Sequence, residues 1–345
     1  MGDFQFDVFV ASTTPAVAAE PSCPICGGPV RPRYRLPDLS RRLALGAVAT
    51  VSWCGGCDAG FLFPRPGPEA NALLYDDYFR RRSPGAAPPG RRRPTLLDRL
   101  RVHVAYRLDR GAGSLLDVVR SQIGRGDADL CEIGCGDGDV LATFARAGFR
   151  TVGVEPFAAA IRQARGKGLE VLAGTAEHLP AGLPHAAFDV VMLTQVLEHC
   201  HDPAPAVGNA LSLLRPGGLL FVDVPNCGSF QFRDRGMGWF HADPGRHVNY
   251  FTPGALRVLL GRAGAEEVGN YYAQYQDHFL DERIEIERAA REGARRGGGA
   301  GELAGLPPVS GLRLMGTLVR TCGLRPDRKY GIVGVIARRG EAARS

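Results

Sequence analysis

Two Cys-x-x-Cys pairs stand near the start of this 345-residue chain, Cys23-Pro-Ile-Cys26 and Cys54-Gly-Gly-Cys57, with 27 residues between them. Each pair can bring two thiolates to one turn, and four thiolates together make a tetrahedral zinc site with no position left for water or substrate. Gly27, Gly28, Gly55 and Gly56 suit such tight knuckles. The spacing therefore predicts structural zinc holding a segment too small for its own core. A redox pair would precede a helix in a thioredoxin-like unit, and nothing of that kind surrounds these cysteines. A zinc module that binds a partner or nucleic acid is the alternative. A second constellation lies in 237-MGWFHADPGRHVNYFTPGAL-256, where Trp239, Phe240, His241, Asp243, Arg246, His247, Asn249 and Tyr250 crowd into twelve positions. A simple surface loop seldom carries so many aromatics beside histidines. Upstream, Glu198-His199-Cys200-His201-Asp202 offers another acid and imidazole pair.

A third arrangement is Glu132-Ile-Gly-Cys-Gly-Asp-Gly138, with Glu155 closing an apolar run about twenty residues after the glycines. Gly134, Gly136 and Gly138 allow tight turning and close approach of a ligand to the peptide groups, and a helix N-terminus follows. Glu155 is placed to accept two ribose hydroxyls, a feature shared with NAD sites. Glu132 and Asp137 point elsewhere: they would repel a pyrophosphate, while Glu132 could pair with a cationic amino-acid group. The cysteines outside the two pairs, Cys131, Cys135, Cys200, Cys227 and Cys322, read as small core or near-core residues.

These residues need a scaffold. From about Asp127, apolar runs alternate with helical patterns: LCEI, a helix over 138–147, TVGVE, a helix over 157–167, LEVLAG, FDVVMLTQV, a helix over 203–214 and LLFVDVPN. That alternation predicts an α/β fold, a parallel sheet with helices on both faces. A helix over 255–263 follows. EEVGNYYAQY and YGIVGVIAR then predict an antiparallel edge pair, with helices over 280–296 and 309–323 inserted between them. Leu96, Leu97, Leu100, Val104 and Leu108, with Leu115, Leu116 and Val119, predict a helical lead-in over 95–120. FQFDVFVAS suggests a short strand, and 73–79 a helix or turn.

Over residues 127–226 the chain resembles the class I S-adenosylmethionine-dependent methyltransferases, specifically small-molecule enzymes that carry an N-terminal zinc module. The resemblance is carried by Glu132–Gly138, by Glu155, by 171-VLAGTAEHLP-180, by 188-FDVVMLTQVLEHCHDP-203 and by 213-LLRPGGLLFVDVPN-226. It implies a Rossmann-like seven-stranded sheet and S-adenosylmethionine as cofactor. The cofactor residues it implies are Glu132, Gly134, Cys135, Gly136, Gly138, Glu155, Pro156, Thr175, Ala176, Glu177, Thr194 and Gln195. Thr175 stands where the family has aspartate, so Glu177 or the Ala176 backbone would have to serve the adenine. The 237–256 stretch is similar to a family segment lying over the active site, which makes His247, then His241, candidate bases for a hydroxyl acceptor, with His199 a third. Tyr271, Tyr272, Tyr275 and His278 are expected to complete the acceptor pocket, and Tyr75, Tyr78 and Phe79 to fold over it. The implied organisation is a zinc module over 1–66, a linker and helical lead-in over 67–125, and the methyltransferase domain over 126–345 with its insert at about 277–328.

The remaining features narrow the function. The formal charge of +6 is scattered, and the arginines at 80–82 and 91–93 have no interleaved aromatics, which disfavours nucleic acid. No apolar run of about 18 residues occurs, and nine cysteines, an odd number, suit a reducing compartment, so no membrane and a cytoplasmic setting are expected. O-methylation of a sugar or other specialised metabolite is the favoured reaction. C- or N-methylation, or a non-catalytic zinc-dependent scaffold, stay open, as does a homodimer.

Overall fold

Phe188–Thr194 (β7) is a continuous apolar run broken only by Asp189, buried on both faces along most of its length, which marks the middle of a parallel sheet. In the computed structural model, which describes residues 22–37, 39, 48–67, 74, 94–124, 126–296 and 310–339, β7 is the central strand of seven. The others are Asp129–Ile133 (β4), Arg150–Glu155 (β5), Glu170–Ala173 (β6), Leu214–Pro225 (β8), Ala265–Ala273 (β10) and Ile332–Arg339 (β11). Their order is β10-β11-β8-β7-β4-β5-β6, with β6, β5, β4, β7 and β8 parallel and β11 antiparallel to both neighbours. This is the expected α/β Rossmann-like sheet, and the expected β10–β11 pairing is present. The Pro216-Gly217-Gly218 turn is a bulge inside β8, where the register against β7 slips between Phe188 and Val190.

The helices Asp139–Arg146, Ala158–Gly166, Pro203–Leu213 and Pro253–Arg262 cover the sheet close to their expected positions. Asp202 and Thr252 cap the last two, each followed by proline at the start of the helix. Apolar side chains from these helices and the strands make one core on each face, around Leu193 and Val222 on one side and around Leu130 and Phe144 on the other.

A second, four-stranded antiparallel sheet contains Val30–Leu36 (β1), Ala49–Cys54 (β2) and Gly60–Phe63 (β3), and its last strand, Asn249–Tyr250 (β9), comes from the far side of the chain. The expected boundary at residue 66 thus falls just after a strand that pairs with residue 249. Cys23, Cys54, Cys57 and Phe61 share a core with Leu193 and Phe251.

Two expectations fail. The lead-in is two helices, Leu96–Leu108 and Leu115–Ile123, and the leucine stripe of the first faces water: Leu96 is 85% exposed and Leu100 51%. Its sheltered face is Asp98, Arg101 and Ala105, because the Arg101 guanidinium donates to Asp98 (2.6 Å), Asp281 (2.5 Å) and the Phe279 carbonyl (3.1 Å). Cys322, expected in or near the core, is exposed at the end of the helix Gly311–Thr321. The helix Asp281–Arg296 and the helix Gly311–Thr321 form the insert before β11. The suggested strand in residues 1–20, the segment with Tyr75, Tyr78 and Phe79, and the arginines at 80–82 and 91–93 lie outside the described residues. Among the described residues, no helix is long and apolar enough to cross a membrane.

Candidate active site

The chain runs β4–β5–β6 in one direction across the sheet and then restarts with β7 on the other side of β4. The crevice beyond the strand C-termini at such a reversal is where open α/β sheets bind ligands. Glu132 and the glycine turn reach it from β4, and Thr194 and Gln195 from β7. Gly134, Gly136 and Gly138 all have left-handed φ values, of 77°, 56° and 80°. At Gly134 a Cβ would lie 2.5 Å from Val196, so no other residue fits. Gly136 has nothing within 4 Å of a built Cβ, which leaves its side of the turn open to a ligand.

Glu155 is turned back onto that loop: its carboxylate accepts from the Gly136 N–H and the Phe157 N–H, each at 3.0 Å. Glu132 is 2% exposed, and its Oε2 has no hydrogen-bond partner. Burial, then the charges of Asp223, Asp137 and Glu155, push its carboxyl well above the usual range. Asp223, on β8, accepts from Gln195 Nε2 (2.7 Å) and Tyr271 Oη (2.8 Å), and burial raises its pKa as well. Among the described residues, four buried carboxyls therefore converge on the crevice: Glu132, Glu155, Glu198 and Asp223. What such a field is short of is positive charge.

The remaining cofactor candidates are placed more variously. Thr175 Oγ1 accepts from the His178 N–H within its own turn (2.9 Å). The Ala176 carbonyl accepts from Asn209 (2.9 Å), and the Glu177 carboxylate accepts from the Asp202 N–H (2.7 Å) and the His201 N–H (3.3 Å). Glu177 thus anchors the turn after β7, a role not foreseen from sequence. Pro156 is exposed just beyond β5, and Cys135 is buried with its thiol held protonated chiefly by burial.

Glu198, His199 and His247 come together in the same crevice. The two imidazoles meet edge to face at 4.7 Å. Each is fixed by a backbone carbonyl: His199 Nδ1 lies 3.0 Å from the Arg246 oxygen, and His247 Nδ1 lies 2.9 Å from the His241 oxygen. A carbonyl only accepts, so Nδ1 carries the proton in both rings and Nε2 carries the lone pair. Burial lowers His199 to about 4 and holds His247 well below its ordinary value. Glu198 is 1% exposed, and neither carboxylate oxygen has a partner. The His241 ring belongs to another group, against Phe240 (4.0 Å) and Trp239 (4.9 Å), and burial lowers it to about 3.

Asn249, one of the residues crowded into the 237–256 stretch, and Arg65, which the sequence did not single out, hold this turn in place. Asn249 Nδ2 donates to the carbonyls of Leu197 (2.9 Å) and Cys200 (2.7 Å), while its Oδ1 accepts from Arg65 (2.9 Å). Arg65 also donates to the Cys200 carbonyl at 3.0 Å. The Glu198 carbonyl accepts from the Val248 N–H at 2.8 Å, and Val248 in turn accepts from Leu62 next to β9. The second sheet is thus hydrogen-bonded to the acid and imidazole pair. Of the residues expected to finish the acceptor pocket, Tyr271 touches the site, whereas Tyr275 and His278 are fully buried around the insert.

Just before β1 and in the turn between β2 and β3, the four paired cysteines converge as expected. Cys23 and Cys57 sulfurs are 3.5 Å apart, Cys26 and Cys54 sulfurs 3.4 Å, and all four lie within 4.8 Å of one another without a disulfide. The Cys26 and Gly56 amides point at the sulfurs of Cys23 (3.4 Å) and Cys54 (3.3 Å). A Cβ at Gly28 would stand 3.2 Å from the Cys26 sulfur, a tight contact in which a larger residue would press on the cluster. Spacing, donor type and these amides fit a closed thiolate metal site.

Comparison with known proteins bears on the same region. A family model described as "Methyltransferase domain" matches residues 93–268. A Mycolicibacterium smegmatis protein named "Probable S-adenosylmethionine-dependent methyltransferase" is 35% identical over 40% of this chain and 52% of its own length. The ubiquinone biosynthesis O-methyltransferase of Maricaulis maris is 30% identical over 44% of this chain and 65% of its own length. The chain thus spans less than two thirds of these relatives. Among solved structures, a SAM-dependent methyltransferase from Thermotoga maritima aligns with a TM-score of 0.47 at 19% identity, over 79% of this chain and 98% of that one.

Proposed function

The chain belongs to the methyltransferase-domain family matched over residues 93–268, and from that premise we propose that it transfers the methyl group of S-adenosylmethionine to a hydroxyl of a small-molecule acceptor. The observation that carries the cofactor half is Glu132, a 2%-exposed carboxyl with an unpartnered oxygen beside three more buried acids. An isolated buried carboxylate is costly, and a cationic ligand group relieves that cost. The cofactor supplies a sulfonium-bound methyl and an ammonium group, both positive. Glu132 holds the ammonium, the open face of Gly136 receives the amino-acid chain, and Glu155 takes the ribose hydroxyls. Gln195 and Thr194 wall the pocket from β7, and Thr175 with Ala176 borders the adenine.

Methyl transfer is an in-line displacement. The bond from the acceptor oxygen to carbon forms as the sulfur–carbon bond breaks, and sulfur keeps the electron pair. The protein mainly aligns the two partners. The acceptor oxygen must also lose its proton, and Glu198, His199 and His247 are the groups offered to it at the same crevice. His247 Nε2 is the first acceptor for that proton, with His199 beside it. The four cysteines would hold structural zinc, and β3 of their module hydrogen-bonds to Val248, the neighbour of His247.

Calorimetric titration with S-adenosylhomocysteine, beside NADH, tests the cofactor. One-site binding of the former alone is the expected result, and binding of NADH instead would overturn it. Transfer of labelled methyl to a panel of hydroxylated metabolites and sugars tests the acceptor class. Transfer confined to amines would remove the hydroxyl reading.

A further inference from the structure

We propose that Glu198, His199 and His247 bind a divalent transition-metal ion, in a site separate from the four cysteines. The three side chains can each present one ligand atom, and those atoms lie within 4.8 Å of one another. Three points no farther apart than that all lie within about 2.8 Å of a common centre (4.8/√3), against typical Zn–N and Zn–O distances of ~2.0–2.2 Å. Small rotations of the side chains close the difference.

Two further observations point to a ligand. The first is Glu198: at 1% exposure, both of its oxygens lack a hydrogen-bond partner, while its own carbonyl is pinned by the Val248 and Asn249 amides. The nearby guanidinium of Arg246 is ion-paired with Asp243. The second is the pair of tautomers. A ligating histidine characteristically gives its other ring N–H to a backbone carbonyl or carboxylate, which fixes the ring and leaves a lone pair for the metal. Both His199 and His247 are fixed in that way, by two different carbonyls, from residues 48 apart in the chain.

Two imidazoles and one carboxylate make a set of intermediate softness suited to zinc, iron(II), cobalt or manganese rather than to calcium or magnesium. Three protein ligands also leave coordination positions open, unlike the four thiolates. An acceptor hydroxyl entering one of them would lose its proton more readily, since a bound divalent ion lowers the pKa of a coordinated oxygen by several units. This part rests on the methyltransferase reading; the metal site itself does not. It would also reassign the two histidines, from proton acceptors to ligands that position the group doing that work.

The test is a metal count on the full chain, loaded with zinc alone and freed of excess by gel filtration. Two zinc ions per wild-type chain are expected, with one in Glu198→Gln, one in His247→Gln and one in Cys54→Ser. Loading the Glu198→Gln and wild-type chains with manganese, followed by electron paramagnetic resonance, gives a second readout that thiolates scarcely affect. Affinity for manganese should fall at least tenfold in Glu198→Gln and stay unchanged in Cys54→Ser. One zinc in the wild type, or two in both Glu198→Gln and His247→Gln, would overturn the site. Glu198→Gln is nearly isosteric, and its binding of S-adenosylhomocysteine, measured in the same preparation, reports whether the fold and the cofactor pocket survive. Wild-type chain that binds two metals and no S-adenosylhomocysteine would sink the methyltransferase reading and leave the metal site standing.

Discussion

Replacing Glu132 with glutamine should move stability and cofactor affinity in opposite directions. The substitution keeps the shape of a side chain that is 2% exposed and removes only its ability to ionise. In the empty protein the Glu132 carboxyl is held above its ordinary value of 4.5 by burial and by Asp223, Asp137 and Glu155. A raised carboxyl binds more protons in the folded state than in the unfolded one. Its contribution is therefore fully present below pH 4.5 and is lost as the pH climbs through the folded-state value. Glutamine has no such loss, so the E132Q protein should be more stable than wild type at pH 8 without cofactor, and the gap should close by pH 5. Binding reverses the sign. A charge-assisted hydrogen bond to the ligand ammonium contributes roughly 1.5–3 kcal/mol, so its removal should weaken S-adenosylhomocysteine binding about 10- to 150-fold. A raised carboxyl must also give up whatever proton it holds when the ammonium binds, so wild-type binding should tighten as the pH rises; in E132Q that dependence should largely vanish. Calorimetry in two buffers of different ionisation heat counts the released protons, and urea unfolding at pH 5 and pH 8 gives the stabilities. A variant that binds as tightly as wild type, or that is less stable at pH 8, would refute the argument.

Three more outcomes can be checked. Cys54→Ser should lose the zinc of its thiolate site and several kcal/mol of stability, a fall in melting temperature of roughly 10 °C; metal analysis with a thermal melt measures both. Asn249→Ala deletes the donor to the Leu197 and Cys200 carbonyls and the acceptor for Arg65, at a cost of about 3 kcal/mol in urea unfolding. Arg235 and Glu287 form an ion pair at 2.8 Å with side chains only 4% and 1% exposed. Glu287→Ala should therefore cost about 3–5 kcal/mol, while Arg235→Met with Glu287→Leu should recover most of it.

The central sheet was legible because its signals are local. Glycines at Gly134, Gly136 and Gly138 are demanded by backbone angles, and β7 declares itself as a buried run. The thiolate site was legible for the same reason, since two residues of each pair sit on one turn. What stayed hidden depends on partners distant in sequence. No periodicity reveals that Asp98 and Arg101 face inward, because their burial depends on Asp281. Asp223 is a single acid in an apolar strand, and its meaning comes from Gln195 and Tyr271. The histidines were identified as chemical groups, but their basicity is set by enclosure, which only the fold creates. The two-residue strand β9 is too short to carry any pattern of its own.

That short strand also imposes an order on the making of the protein. Gly60 and Phe61 pair with Tyr250 and Asn249, so on the ribosome the outer edge of β3 waits for about 190 further residues, roughly 10–40 s at ordinary elongation rates. All four cysteines have emerged well before then, and metal capture can therefore precede the existence of the domain it serves. Meanwhile a strand bearing Phe61 and Leu62 presents an unpaired apolar edge, the kind that invites pairing with another nascent chain. Any shortened version of the protein that ends before residue 250 would carry that exposed edge permanently.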